Sequence, residues 1–354
     1  MRLHFLALPH TSTTEAYAWC AFTADVMHGA TMLHLRGHEV FVYGGPENEA
    51  SCTEHVPCVS AGDQEHWFGT DHSCLMPTNL FDETQPWWRS FNARTIRELR
   101  ARLEPGDVIM CIVGQAHAEV VDAFPDHLAV EWMVGYPPER RYTKHANYTS
   151  YAWRNHCEGF GHMCFANWYD SVVPNPFPLP GDFERADAGY LLFLGRKNES
   201  KGLHIANDIA RRTGLPLIAA GQGPPDLAPD ARHVGVVVGE AKSYLLSHAR
   251  ALLVPSVYVE PFGKVVVEAQ IRGVPTITSD FGAFSETVQN GINGQRCRTM
   301  PEFVAAVEHD YGNGYEIARD AQNRYCYDPV TGGGRSPAAL EAWLGRLQRS
   351  DWYH

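Results

Sequence analysis

Several things are missing from this 354-residue chain, and each absence narrows what it can be. No apolar run approaches the roughly 18–20 residues that a membrane-spanning helix requires. Nine cysteines are an odd number, and no Cys-x-x-Cys pair occurs among them. That argues against a disulfide framework and for reduced thiols. No G-x-G-x-x-G follows the first predicted strand, where Leu8-Pro9-His10-Thr11 stands instead. A dinucleotide-dependent dehydrogenase needs those glycines against its pyrophosphate, so that class is excluded. Positive charge is scarce: 29 Lys and Arg face 41 Asp and Glu, a net charge of −12. The balance gives no support to non-specific nucleic-acid binding. Residues 1–8 carry one Arg and a short apolar stretch before the chain turns polar at His10. They read as a β-strand, not a secretory signal, and a cytoplasmic location is expected. His156, Cys157, His162, Met163 and Cys164 supply soft donor atoms. Their spacing matches no familiar zinc pattern, and no metal is expected.

What is present is an ordinary globular composition, 44% hydrophobic and 20% charged, in a chain long enough for two domains. The apolar run 3–8 predicts a buried strand, 16–35 an amphipathic helix ending near Gly37, and 39–43 a second strand. Strand, helix and strand in that order imply a parallel sheet. Residues 46–90 are rich in Cys, His, Trp and Pro with weak periodicity, and read as a mostly irregular insertion. Helix 90–103 and strands 107–113 and 128–134 complete the legible part of the first half.

Four prolines between 174 and 180 make a stiff connection, which marks a boundary. After it the alternation resumes more clearly. Strands are predicted at 190–194, 216–220, 234–238, 251–254 and 275–278, with helices at 203–213, 242–250, 264–272 and 301–310. This is a doubly wound α/β pattern. The expected division is an N-terminal Rossmann-like domain over 1–173, a hinge over 174–185 and a C-terminal Rossmann-like domain over 186–330. A terminal helix within 335–354 is expected to return to the N-terminal domain.

The chemistry concentrates between 190 and 300. Arg196 leaves the end of a strand and Lys201 follows a short loop later, where two cations can neutralise a diphosphate. Gly221 and Gly223 form a compact loop at the same rim. After strand 251–254 comes a loop carrying Glu260, and a helix begins near Gly263. A carboxylate at Glu260 can accept hydrogen bonds from sugar hydroxyls. The helix start can meet a phosphate through the backbone of Phe262, Gly263, Lys264 and Val265. Glu268 lies about a turn and a half into that helix, within reach of a ribose diol.

These motifs together resemble the retaining GT-B glycosyltransferases of the GT4 family. The resemblance runs through Gly195-Arg196, Lys201-Gly202, Ala220-Gly221-Gln222-Gly223, Pro255-Ser256, Glu260-Pro-Phe-Gly263 and Glu268-Ala269. It continues through Gly273-Val-Pro275, Ser279-Asp280-Phe-Gly282, Glu286 and Asn290-Gly-Ile-Asn-Gly294. It implies an α/β GT-B fold, with two doubly wound Rossmann-like domains facing across a cleft. It also implies a nucleoside-diphosphate-sugar donor as co-substrate, no cofactor and no metal. Arg196 and Lys201 would then stabilise the departing diphosphate, Glu260 would hold the transferred sugar and Glu268 the ribose. Gly195, Gly221 and Gly223 would line the donor site.

Two departures from the family pattern concern the first half. The loop after the first strand lacks a pair of small residues, and no histidine follows strand 128–134. His10, Thr11, His117 and Glu131 are the acceptor-side candidates that remain. The acceptor itself, whether a glycan, a small molecule or a modified nucleobase in DNA, leaves no trace in the motifs, and neither does oligomeric state. Other GT-B chemistry, as in a sugar-nucleotide epimerase or a glycan phosphorylase, and a non-catalytic nucleotide- or carbohydrate-binding role are the competing readings.

Overall fold

The computed structural model describes residues 1–69, 79–80, 82–160, 167–181, 183 and 185–349. The chain divides into two compact units. Unit 1 takes Met1–Thr149, Arg154–Pro178 and the segment from Tyr327 onward; unit 2 takes Ser150–Trp153 and Leu179–Cys326.

Unit 1 is built on seven parallel strands: β1 (Arg2–Leu6), β2 (Glu39–Gly44), β3 (Glu54–Pro57), β4 (Val108–Cys111), β5 (Leu128–Val134), β6 (His145–Tyr148) and β7 (Ser171–Val172). Their order is β3-β2-β1-β4-β5-β6-β7. Parallel neighbours need crossovers, which α1 (Ala21–Leu35), α2 (Ala61–Phe68), α3 (Pro86–Arg100), α4 (Ala118–Asp122) and α5 (Tyr151–Phe160) help to supply. The central strands are covered on both faces, so Leu3, Phe5 and Leu6 of β1 and Val40 and Val42 of β2 are all buried in one core.

Two expectations for this half are corrected. The first helix starts at Ala21, with a separate short turn at Glu15–Tyr17 before it. The reason is that Thr13 is tied on both sides to the loop after β2. Its N–H donates to the Glu47 carbonyl at 3.1 Å, and its own carbonyl accepts from Glu49 N–H at 2.8 Å. The stretch 46–90 is also more regular than its pattern suggests, because β3 and α2 lie within it. Its periodicity is weak for a physical reason. β3 is an edge strand with only Val56 buried, and the one buried residue of α2 is Gln64, whose amide donates to the Pro9 carbonyl at 3.1 Å. Residues 70–78 and 81 of this stretch lie outside the described residues.

The terminal helix, Arg335–Gln348, belongs to unit 1. Leu340, Trp343 and Leu344 join the core, and the Trp343 indole donates to the Tyr169 carbonyl at 2.7 Å. Arg36 grips Glu341 through two nitrogens, both at 2.5 Å.

Unit 2 has six parallel strands: after β8 (Phe177–Pro178), which lies in unit 1, come β9 (Leu191–Leu194), β10 (Leu217–Ala220), β11 (Arg232–Gly235), β12 (Ala251–Val254), β13 (Thr276–Ser279) and β14 (Gly294–Cys297). The order is β11-β10-β9-β12-β13-β14, and the short β15 (Cys326–Tyr327) pairs with β8. The crossovers include α6 (Leu203–Thr213), α7 (Gly239–His248), α8 (Lys264–Gln270), α9 (Phe284–Thr287) and α10 (Met300–Glu308), with α11 (Tyr315–Tyr325) following. Alternation along the strands feeds two cores. Leu191, Phe193 and Leu253 enter one, while Leu192, Leu252 and Val254 enter the other with Val266 and Phe284. The chain winds outward from β9 to β11 and then returns to β12 on the opposite side of β9. The switch point between β9 and β12 is where open α/β sheets bind ligands, beyond the carboxyl ends of the strands.

Unit 2 begins at Leu179 and ends at Cys326, where the sequence suggested 186 and 330. The Arg185 guanidinium explains the early start, because it donates to the carbonyls of Gly273, Ser247 and Arg250 at 3.3, 3.4 and 3.3 Å. Among the described residues, no helix is long and apolar enough to cross a membrane.

Leu344 is fully buried in the unit 1 core. Leu344→Ala should lower the stability of unit 1 by about 2–5 kcal/mol through lost transfer energy and a residual cavity. Chemical denaturation followed by unit 1 tryptophan fluorescence checks this; a loss below about 1 kcal/mol would mean the helix is not part of that core.

Candidate functional site

At the switch point of unit 2, three loops leave the carboxyl ends of β9, β10 and β12. Left-handed glycines let these loops touch. A Cβ on Gly221, at φ 131°, would fall 1.9 Å from the Gly195 carbonyl oxygen. A Cβ on Gly202, at φ 73°, would fall 2.0 Å from that of Pro255. Both glycines are therefore required by backbone meeting backbone. Gly195 N–H donates to the Ala220 carbonyl at 3.0 Å, closing the same seam.

Glu260 stands in the loop after β12 and is only 4% exposed. A buried carboxylate needs partners, and it has three. The Lys201 ammonium donates to its Oε1 at 2.6 Å, the Ser256 hydroxyl to the same oxygen at 2.8 Å, and the Tyr258 phenol to Oε2 at 2.7 Å. Lys201 also donates to the Tyr258 hydroxyl at 2.7 Å, and its ammonium stands 4.9 Å from the centre of that ring. Burial, and then the Glu260 charge, push the Tyr258 phenol well above its ordinary pKa, so it stays a donor; the nearby Arg196 charge opposes this. Arg196 itself is exposed at the end of β9. The structure thus brings Arg196, Lys201 and Glu260 to one strand edge. Tyr258 and Ser256 are additions to the predicted set. Ser256 lies in the Pro255-Ser256 pair, but no spacing pointed to Tyr258.

Gly263 caps α8 in the left-handed conformation, at φ 76°. Phe262 is buried edge-on against Tyr325 with ring centres 5.9 Å apart, so its side chain is core and only its backbone is available to a ligand. Lys264 and Val265 open α8, and Val265 packs against the core below. Glu268, on the same helix, accepts from the Lys242 ammonium of α7 at 3.1 Å. Burial pushes the Glu268 carboxyl up, but Lys242, Lys264 and Arg272 together outweigh it and hold its pKa below the ordinary value. Lys242 was not anticipated, since a lone lysine on a helix carries no motif.

The four acceptor-side candidates lie in unit 1. His10 and His117 are fully enclosed, with neither ring nitrogen hydrogen-bonded. Burial pulls both imidazoles down to about 3, so both are neutral at pH 7. His10 meets Phe68 edge-on at 6.0 Å, and His117 meets Trp88 edge-on at 5.2 Å. Thr11 bonds Thr23, hydroxyl to hydroxyl, at 2.7 Å. Glu131 is buried, and its carboxylate accepts from the backbone N–H of Tyr142 and, at 2.8 Å, of Thr143. Arg141 stands 3.5 Å away. Those contacts occupy Glu131 in holding the 140–143 turn.

Among the described residues, no group of three His, Cys, Asp or Glu side chains is placed to hold a metal ion. Of the soft donors in the sequence, Cys157 is buried, and His162, Met163 and Cys164 lie outside the described residues.

Two parallel-sheet, Rossmann-like units of this kind define the GT-B fold of glycosyltransferases. Residues 183–300 match the family model described as Glycosyl transferases group 1. The chain is 32% identical over 173 residues to a glycogen synthase of Mycobacterium tuberculosis, a stretch covering 43% of this chain and 42% of that protein. It is 29% identical over 107 residues to a GDP-mannose-dependent alpha-mannosyltransferase of Corynebacterium glutamicum, covering 29% of this chain and 26% of that one. The chain therefore spans well under half the length of these curated relatives. Among solved structures, AviGT4, a glycosyltransferase involved in avilamycin A biosynthesis, is similar over 100% of both chains, at TM-score 0.69 and 20% identity. HepE of Anabaena, in complex with UDP and glucose, is similar at TM-score 0.67 and 14% identity, over 98% of this chain and 100% of that one.

Because the Glu268 pKa is depressed in the fold, its contribution to stability is complete above the unfolded carboxyl pKa, about 4.3. It is lost as pH falls through the lower folded value. Lys242→Met should raise the Glu268 pKa, read by carboxyl NMR titration, and Glu268→Gln should narrow its stability gap to wild type as pH drops through that window. An unmoved Glu268 titration in Lys242→Met would show that this pair does not set the charge.

Proposed function

We propose that the chain is a retaining glycosyltransferase of the GT4 type, moving a sugar from a nucleoside-diphosphate sugar to an acceptor hydroxyl without a metal ion. The observation that carries this reading is the buried Glu260, held by Lys201, Ser256 and Tyr258 at the β9/β12 switch point, with Arg196 beside it. Cations and a fixed carboxylate at a strand edge suit a ligand with a diphosphate at one end and hydroxyls at the other. The relatives support the donor class, since one is named for GDP-mannose and the HepE structure holds UDP and glucose.

In this reading Arg196 and Lys201 neutralise the diphosphate as the bond between it and the sugar C1 breaks. Their charges serve where another enzyme class uses a divalent cation. Glu260, oriented by its three donors, accepts from sugar hydroxyls. Glu268 accepts from the ribose, and the backbone from Phe262 to Val265 meets the phosphates. The acceptor oxygen forms its bond to C1 on the face the diphosphate leaves, and its proton passes to a departing phosphate oxygen. No enzyme nucleophile is needed. The acceptor is a hydroxyl of a glycan or a small molecule, and the unit 1 loops carrying His10, Thr11, His117 and Glu131 belong to the half that would select it.

The test is a thermal-shift panel with UDP, GDP, ADP, dTDP and CDP, with Glu268→Ala as control. The matching nucleotide at about 100 times its dissociation constant should add roughly 2.7 kcal/mol of stability, and the control should lose most of it. With the matching sugar nucleotide, Glu260→Gln and Lys201→Ala should each slow donor turnover by about 100-fold or more. A chain that responds to none of the nucleotides is not a transferase of this kind.

A further inference from the structure

Glu286 belongs to the ordered motifs of the second half, yet the donor site described above gives it no task. It lies on α9, and its carboxylate accepts two backbone N–H groups, from Tyr151 at 3.1 Å and from Ala152 at 2.7 Å. These are the first two residues of α5. The third, Trp153, donates its N–H to the Ser150 hydroxyl oxygen at 3.0 Å. A helix leaves its first N–H groups without partners of its own, and a negative charge is favoured at that end. Glu286 and Ser150 together answer three of those groups.

Where this helix starts is what gives the contacts a consequence. The chain leaves unit 1 after Thr149, gives Ser150–Trp153 to unit 2 and re-enters unit 1 at Arg154. Ser150 is 2% exposed, and its hydroxyl donates to the Pro261 carbonyl at 2.6 Å. Pro261 stands between Glu260 and Phe262, in a stretch with no helix or strand to engage its backbone. The Glu260 carbonyl is taken by the Ala283 N–H at 3.1 Å, so two consecutive carbonyls are tethered. A peptide unit is planar, with its C=O and the following N–H fixed in opposite directions. Holding the Pro261 oxygen therefore fixes the plane it shares with the Phe262 amide. Phe262 opens the backbone that the donor-site reading gives to the phosphates.

We propose that Ser150 is a positioning residue of the donor site, aligning the Glu260–Gly263 backbone through the Pro261 carbonyl, while Glu286 holds the α5 turn beside it. The inference rests on the donor-site reading above. Neither residue touches the donor: Ser150 acts through Pro261, and Glu286 acts through the first turn of α5. A hydroxyl that did no more than cap α5 would leave the loop alone, and substitution separates the two roles. Glycine caps a helix start nearly as well as serine, and alanine caps poorly, while neither can donate to Pro261.

The experiment compares the full chain with Ser150→Gly, Ser150→Ala, Glu286→Ala and the double variant Ser150→Gly/Glu286→Ala. Affinity is measured by calorimetry for the nucleoside diphosphate that stabilises wild type and for its parent nucleoside, and melting is followed without ligand. Both Ser150 variants should bind the diphosphate about tenfold more weakly with nucleoside affinity unchanged, and Ser150→Gly should melt close to wild type. Glu286→Ala should show the same split. The double variant should lose less than the product of the two separate losses, since both act along one route. Weakening in Ser150→Ala alone would reduce Ser150 to a helix cap and overturn the proposal. Equal loss of nucleoside and diphosphate would overturn it too, as would a marked fall in the melting temperature of Ser150→Gly, which makes the hydroxyl a structural requirement. A double loss equal to that product removes Glu286 from the route. If all variants bind as wild type does while Glu268→Ala does not, the donor site stands and Ser150 has no part in it. If wild type binds no nucleotide, the donor-site reading itself fails and this inference falls with it.

Discussion

A carboxylate withdrawn from water has to be held by donors, and the loops of unit 2 are arranged around that requirement at Glu260. Lys201 comes from the loop after β9, while Ser256 and Tyr258 come from the loop after β12. The backbone of the loop after β13 closes over the same residue, where Ala283 N–H donates to the Glu260 carbonyl at 3.1 Å. One buried residue thus ties three loops into a single rim, two through its carboxylate and one through its backbone carbonyl. Removing any donor would leave part of that charge unpaired, which is why the ion pair acts as a positional constraint first and a source of stability second.

Charge could not be gathered there without close backbone approach. Parallel strands end side by side, and the loops that leave them compete for the same space above the sheet edge. Glycines at 202 and 221 resolve the competition, each accepting a carbonyl where a side chain would sit. A motif glycine read from sequence as a place for a ligand is, in the fold, first a place for another loop. Ligand access follows from that contact, because the loops are then held at fixed heights on the strand ends.

The two halves were legible to different degrees, and the reasons are physical. In unit 2 the helix at 203–213 and the strand at 251–254 were read at their observed limits, since each is a short apolar or amphipathic segment bounded by glycine or proline. The strand β14 and helix α11 went unread. β14 has polar residues at Gln295 and Arg296, and α11 is mostly polar with only one side buried. In unit 1 the edge strand β3 and the helix α2 each bury a single residue, Val56 and Gln64. No hydrophobic period marks such a segment.

From the sequence alone came the alternation of strands and helices, the ordered motifs from Gly195 to Gly294, and the pairing of Arg196 and Lys201 with Glu260 as residues of one edge. Local chemistry suffices for these, because apolar runs bury themselves and glycines mark turns wherever they occur. Only the tertiary structure decided that Tyr258 and Ser256 clasp Glu260 and that Lys242 from another helix holds Glu268. Partners of a buried charge are chosen by which strands lie adjacent, and the order β11-β10-β9-β12-β13-β14 is a property of the assembled sheet that no single segment contains.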